Sequence, residues 1–317
     1  MTKKILAADI GGTNSRFGVF KSDGNEGLEL IESRWLDTQA FDSFRDLLHE
    51  LESGGFDAPA SSANTAVIAV AGPVINEVFS SPPNIEWDID ISVVSKELGI
   101  KTCLLINDFI AQAYACRSPI MRDARQILSG DPDLAAPLAV IGAGTGLGQA
   151  ALIPLKNGGY TALASEGGHA GFSFESDSEI PYMQYLLQIT GEPYVRAETV
   201  LSGTGLTHLH RFLTGERLEP AEVAAALGND SETLRWMARF YGRLSRNLAL
   251  QVLSLGGVYI SGGVAAKVPE LVTHAEFARS FRQSTKMHHV LTRIPVYLNI
   301  NEESGLWGAA FRALQII

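Results

Sequence analysis

Two segments, Asp9-Ile-Gly-Gly-Thr-Asn14 and Gly142-Ala-Gly-Thr-Gly-Leu-Gly148, place glycines and a threonine in tight turns between short apolar runs. Glycine has no Cβ, so its backbone can approach a ligand closely, and successive N–H groups in such a turn can point at an anion such as phosphate. The first turn joins Lys4-Ile-Leu-Ala-Ala8 to Arg16-Phe-Gly-Val-Phe20, and the second joins Leu138-Ala-Val-Ile141 to Gln149-Ala-Ala-Leu-Ile-Pro154. Either turn alone reads equally well as an ordinary β-hairpin. One in each half of the chain suggests a nucleotide clamped between two related lobes.

Other glycine-rich phosphate loops fail on spacing. A P-loop needs G-x-x-x-x-G-K-[S/T], and the chain has no Gly-Lys pair. The dinucleotide fingerprint needs glycines at offsets 0, 2 and 5 opening a helix. Counting from Gly142 or Gly144, the last of those positions is Leu147 or Gln149, and a strand pattern follows each turn.

Three further groups of residues can do chemistry. Asn107-Asp108 ends the apolar run Cys103-Leu-Leu-Ile106 and begins a helical pattern from Phe109 to Cys116. Such a pair is either a helix N-cap or, at the carboxyl end of a strand, a ligand-binding position where a carboxylate can act as general base toward a hydroxyl. In Ser165-Glu-Gly-Gly-His169 two glycines let Glu166 and His169 turn into one cavity, and Glu198 precedes a second glycine pair, Gly203 and Gly205. Carboxylates and an imidazole suit a polyhydroxy ligand, because every hydroxyl both donates and accepts. A metal site built from Glu166, His169, His208 and His210 is the alternative. Asn84, behind Pro82 and Pro83 in a stiff extended loop, is either a turn residue or a side chain presented to a ligand.

These groups need elements to position them. Strands are expected at 4–10, 16–21, 28–32, 66–71, 103–106, 138–141, 149–154, 160–163, 257–261 and 295–299. Phe41, Phe44, Leu47, Leu48 and Leu51 share one face of a helix, a long helix runs from Glu232 to Leu253, and a last one from Gly305 to Leu314. Strands alternating with helices give an α/β architecture. The turn-rich stretch 129–137 reads as a loop before the second lobe. The 317 residues suffice for about two domains, and 46% hydrophobic with 19% charged residues describes an ordinary globular protein. A net charge of −10 without a basic stripe argues against a nucleic-acid partner. Cys103 and Cys116 are the only cysteines and form no C-x-x-C, so no oxidising compartment is implied. No signal-peptide core and no run of about 18 apolar residues is present, which leads us to expect a cytoplasmic protein without a membrane partner. Asn229-Asp-Ser231 matches a glycosylation acceptor by chance on that reading.

Taken together, the chain resembles the bacterial glucokinase family, a sugar-kinase branch of the actin/hexokinase/Hsp70 superfamily. The two glycine turns and Tyr259-Ile-Ser-Gly-Gly263 match the superfamily, while Ile106-Asn-Asp-Phe109, Glu166-Gly-Gly-His169 and Ala197-Glu-Thr-Val-Leu-Ser-Gly203 match the branch, in order along nearly the whole chain. The resemblance implies a two-lobed actin-like (ribonuclease H-like) α/β fold with a cleft between lobes. We expect lobes over 1–117 plus 305–317 and over 118–304, the last helix returning to the first lobe. It implies Mg²⁺- and ATP-dependent phosphorylation of glucose at its 6-hydroxyl, with Asp108 as base. Asn84, Asn107, Asp108, Glu166, His169 and Glu198 would hold the sugar. Gly11, Gly12, Thr13, Asn14, Gly144, Thr145, Gly146, Gly262 and Gly263 would hold ATP, with Asp9 near Mg²⁺, and a homodimer is expected. The related repressor/ORF/kinase family shares Glu-Gly-Gly-His but carries a cysteine-rich zinc motif soon after it, and no cysteine follows Cys116 here. A kinase for another hexose or an N-acetylhexosamine would reuse the same residues. A non-catalytic sugar sensor would bind without forming ADP, and an actin-like ATPase would turn over ATP without sugar.

Overall fold

The computed structural model describes residues 3–22, 27–54, 56, 59–228 and 230–316; Asn229 of the glycosylation pattern lies outside them. The chain divides into two compact units, one of Met1–Asp123, Leu155–Ala162 and Asn301–Ile317, the other of Ala124–Pro154 and Leu163–Ile300. The strands in chain order are β1 (Lys3–Ile10), β2 (Asn14–Ser22), β3 (Leu28–Asp37), β4 (Thr65–Val70), β5 (Phe79–Ser80), β6 (Ile89–Asp90), β7 (Thr102–Asn107), β8 (Arg125–Leu128), β9 (Leu138–Ala143), β10 (Leu147–Pro154), β11 (Tyr160–Ser165), β12 (Val258–Ser261) and β13 (Val296–Leu298).

The first unit is built on a five-stranded sheet in the order β3-β2-β1-β4-β7. β1 and β2 form the first glycine hairpin, with Asp9 opposite Arg16. β1, β4 and β7 run parallel, and Ile10, Val70 and Asn107 stand level across them. The register therefore delivers Asp9, Asn107 and Asp108 to one edge of the sheet. Every residue of β4 is buried, as its unbroken Thr-Ala-Val-Ile-Ala-Val run requires of a strand covered on both faces. One face packs against the helix Phe44–Ser53, capped by Ser43 accepting from the Asp46 N–H at 3.1 Å, whose buried residues are Phe44, Leu47, Leu48 and Leu51. The predicted helical face is thus the one used; Phe41 precedes the helix. The helix Ser304–Leu314 packs on β1 and on the helix Asp108–Ala115, burying Leu306, Ala309, Ala310 and Phe311. The two helices approach so closely that a Cβ on Gly308 would overlap the Ala111 carbonyl oxygen. β5 and β6 make a two-stranded ribbon flanking the loop with Asn84.

The second unit is built on a six-stranded sheet in the order β11-β10-β9-β12-β13-β8, of whose β11 only residues 163–165 fall within this unit. β9 and β10 form the second glycine hairpin, closing from Ala143 opposite Leu147. β12 runs parallel to β9 with Ser261 level with Gly142, so the Gly262-Gly263 turn lies beside the Gly144–Gly146 turn. β8 was not foreseen; it is short, pairs antiparallel with β13 across a register irregularity, and begins Arg-Gln, which carries no apolar signal. The long helix spans Glu232–Val252, and its Arg243 and Glu179 form a fully buried fork with both Nη–Oε distances at 2.8 Å. Arg243 Nη1 also donates to the Ser173 carbonyl, which fastens the segment following His169 to this helix.

Candidate active site

In the first unit the functional residues collect where β1 and β7 end. Asn107 caps the helix Asp108–Ala115: its Oδ1 accepts from the N–H groups of Phe109 (2.9 Å) and Ile110 (3.3 Å). Asn107 Nδ2 donates to the Gly72 carbonyl at 3.0 Å and to Asp108 Oδ1 at 2.8 Å. The Phe109 N–H also reaches Asp108 Oδ1 at 3.0 Å. The pair therefore divides two tasks that sequence alone left open. Asn107 satisfies the helix start, and both bonds to Asp108 fall on Oδ1, leaving Oδ2 to take a proton.

The electrostatics of this corner favour a proton acceptor working near neutrality. Removal from water pushes the Asp108 carboxyl up to about 7, the Asp9 carboxylate adds to the rise, and the bonds from Phe109 and Asn107 partly oppose it. Asp9 is itself raised by burial, an effect weakened by Arg16, whose Nη1 lies 3.7 Å from Asp9 Oδ2. Arg16 in turn stands over the Trp35 ring at 4.2 Å and donates to Glu302 at 3.4 Å. The start of the helix Ser304–Leu314 abuts the Asp9 carboxylate at Gly305.

The first glycine turn closes with the Gly11 N–H on the Asn14 carbonyl at 3.0 Å, while Thr13 and Asn14 are exposed. Asn84 sits against this turn: a Cβ on Gly12 would stand 2.8 Å from the Asn84 Cβ, so only glycine admits the contact. The structure thus brings Asn84 to the phosphate-loop candidate within the same unit, with its side chain exposed.

In the second unit Glu166, His169 and Glu198 form one cluster. His169 Nδ1 lies 3.3 Å from Glu198 Oε1, and His169 Nε2 lies 3.7 Å from Glu166 Oε2. A short bridge between Gly171 and Arg196, with the Ala197 N–H on the Ala170 carbonyl at 2.8 Å, sets the two segments side by side. Glu166 and His169 are exposed and Glu198 half-buried, so their hydrogen-bonding atoms can meet a polyol. Glu198 also borders the second glycine turn, since a Cβ on Gly146 would stand 3.1 Å from its Oε2. That turn is closed by the Gly144 N–H on the Gly146 carbonyl and by the Gly203 N–H on the Gly144 carbonyl, both at 2.8 Å. Thr145 and Gly263 are exposed, and Gly144, Gly146 and Gly262 are half-buried, leaving this turn and its neighbour open to a ligand.

The histidine alternative does not assemble. His210 Nδ1 faces Thr233 Oγ1 at 3.1 Å and its Nε2 faces Glu216 at 3.4 Å, and burial lowers the His208 pKa. Among the described residues no group of three or more His, Cys, Asp or Glu side chains is placed to hold a metal ion. Sequence reasoning missed Arg196, which donates to Glu198 Oε1 at 2.6 Å and to Glu192 Oε1 at 3.1 Å. Its only signal was standing immediately before the Ala197–Gly203 motif, two residues ahead of Glu198.

Comparison with known proteins places these features in context. The family model described as Glucokinase matches residues 6–316. A glucokinase of Chromobacterium violaceum is 35% identical over 318 residues, covering 96% of this chain and 88% of its own length. The crystal structure of a glucokinase from an Antarctic psychrotroph superposes with a TM-score of 0.85 at 28% identity, covering 98% of each chain. A ROK family glucokinase from Streptomyces griseus, solved with glucose and AMPPNP, superposes with a TM-score of 0.63 at 20% identity, covering 98% of this chain and 99% of that one.

Proposed function

The chain belongs to the glucokinase family, an actin-like α/β fold, and from that premise we infer that it transfers the γ-phosphoryl of ATP to the 6-hydroxyl of glucose with Asp108 as general base. The observation that carries the assignment of the base is the Asp108 carboxyl, raised to about 7, whose Oδ1 accepts from the Phe109 N–H and from Asn107, the residue that caps the helix. A base in this range is largely ionised above pH 7 yet still basic enough to accept a hydroxyl proton.

In this proposal Asn107 and Asn84 from the first unit and Glu166, His169 and Glu198 from the second hold the sugar hydroxyls. Each charge-assisted bond contributes about 1.5–3 kcal/mol, so two or three suffice to fix the sugar's orientation. Asp108 Oδ2 takes the proton as the 6-oxygen attacks. The turns closed by the Gly11 and Gly144 N–H groups would present the backbone of Gly12, Thr13 and Asn14, and of Thr145 and Gly146, to the phosphates, with Gly262 and Gly263 on the nucleotide side. Phosphoryl transfer asks mainly for such positioning and charge balance. AMPPNP in the Streptomyces griseus structure supports ATP as the donor.

Two carboxylates raised by burial, Asp9 and Asp108, the second raised further by the first, suit a divalent cation brought in with the nucleotide. Asp9 would hold Mg²⁺, which when bound supplies positive charge to the phosphate oxygens. A homodimer and a cytoplasmic location belong to the same proposal. No helix among the described residues is long and apolar enough to cross a membrane. Light scattering on the purified chain tests the dimer.

A coupled assay for ADP release, run with and without each of glucose, fructose, mannose and N-acetylglucosamine, tests the reaction. Glucose-dependent release with the highest kcat/KM for glucose is expected. Sugar-independent release would indicate a bare ATPase, and glucose binding without ADP would indicate a sensor; either outcome overturns the proposal.

A further inference from the structure

We propose that Arg196 is a positioning residue for sugar binding, holding Glu198 and His169 in the arrangement that receives the hydroxyls. The inference rests on the functional reading above and extends it to a residue outside the predicted site. The guanidinium is committed to this cluster through both Nη groups, while its buried Nε has no hydrogen-bond partner. Nη1 donates to Glu198 Oε1 at 2.6 Å and stands 3.3 Å from His169 Nδ1, and Nη2 donates to Glu192 Oε1 at 3.1 Å. Arg196 begins where the Gly171 bridge and the Ala197–Ala170 bond pin its backbone, so the side chain starts from a fixed point.

Three consequences follow. Glu198 Oε1 is occupied by Arg196 and His169, which leaves Oε2 as the oxygen free for a sugar hydroxyl. The imidazole of His169 is held from its Nδ1 side, so Nε2, which points to Glu166, is the nitrogen available to the ligand. Glu166 and Glu198 flank His169, and among the described residues Arg196 is the one lysine or arginine paired with Glu192 and Glu198. Removing it lets Glu198 turn away from its neighbours and from the Gly146 turn beside it. Arginine suits this task better than lysine, because its planar fork reaches two carboxylates at once.

The test compares unmodified protein with Arg196→Gln, Arg196→Lys and Glu192→Gln, measuring KM for glucose, KM for ATP, kcat and the melting temperature. Arg196→Gln should raise KM for glucose roughly 10- to 100-fold, the loss of one charge-assisted bond network, while kcat and KM for ATP stay within about threefold. Arg196→Lys should recover part of that loss, and Glu192→Gln, which removes only the outer tether, should raise KM for glucose by about two- to fivefold. A glucose KM within about twofold of the parent in Arg196→Gln overturns the inference. So does a lysine variant no better than glutamine whose kcat, both KM values and melting temperature all deteriorate together, since that marks a merely structural residue. Should Arg196→Gln fail to fold, the lysine variant decides: a raised glucose KM with unchanged kcat supports the role, and an unchanged KM rejects it. If the unmodified protein shows no glucose-dependent ADP release, the functional reading itself fails and this inference falls with it. If the parent is active while the Arg196 variants match it, only the inference fails.

Discussion

Asp108 shows how one residue's surroundings set both chemistry and stability. Its folded pKa is raised to about 7 from 3.8, so protonation silences the base at acid pH. The profile of kcat/KM against pH should rise to a plateau above about pH 7, with its acid limb at that value, and a limb below pH 5 would contradict the assignment. The same shift has a signed effect on folding. Between the unfolded and folded values the native chain binds the extra proton, so this residue's contribution to stability is fully present below 3.8 and is lost as pH rises through about 7. Asp108→Asn removes the buried charge while its Oδ1 keeps the bonds from Asn107 and Phe109. Thermal melts of that variant should therefore show a gain over the parent at pH 8 that shrinks toward pH 5; equal shifts at both pH values would contradict the linkage. Sequence exposed Asn107-Asp108 as a pair but not which member caps the helix, because both residue types cap equally well. Arg196 was illegible for a different reason: its importance comes from a strand bridge to Gly171, a pairing between segments remote in sequence.

At the scale of elements, the closest helix contact depends on a missing side chain. Gly308 lies in the buried helix Ser304–Leu314, where a Cβ would overlap the Ala111 carbonyl oxygen. Gly308→Ala should destabilise the chain by about 1–3 kcal/mol despite alanine's better helix propensity, because the helices must separate to admit it. Denaturant melts check this, and an unchanged or higher midpoint would show that the contact yields freely. The buried fork between Arg243 and Glu179 fastens the segment after His169 to the long helix. Replacing Glu179 by Gln should cost about 1–3 kcal/mol, since it weakens both Nη bonds of a buried guanidinium and leaves it only the Glu175 carboxylate beside its Nε; an unchanged midpoint in the same melts would contradict that. Elements with strong periodicity were legible: Phe44, Leu47, Leu48 and Leu51 mark their helix, and the apolar runs of β1, β4, β9 and β12 mark their strands. β8 was not, because a four-residue strand beginning with two exposed polar residues looks like loop until its partner β13 is known. The Arg243–Glu179 fork was also hidden, its members lying 64 residues apart.

For the whole molecule, the two units each carry one glycine hairpin and one set of sugar-contact candidates. Family membership was readable because the short motifs occur in order along the chain, whereas the unit limits depend on long-range packing that motifs do not record. Glucose should also stabilise the fold, by about 2.7 kcal/mol when its concentration reaches 100 times Kd. That shift should persist in Asp108→Asn and diminish in Glu198→Gln, which loses an acceptor for the sugar. The most direct test combines glucose binding by calorimetry with turnover, both on one preparation of Asp108→Asn. A Kd for glucose within about threefold of the parent, together with kcat lower by roughly 10²–10⁴, is the expected result. A variant that turns over glucose at nearly the parent rate would contradict the assignment of Asp108 as the base.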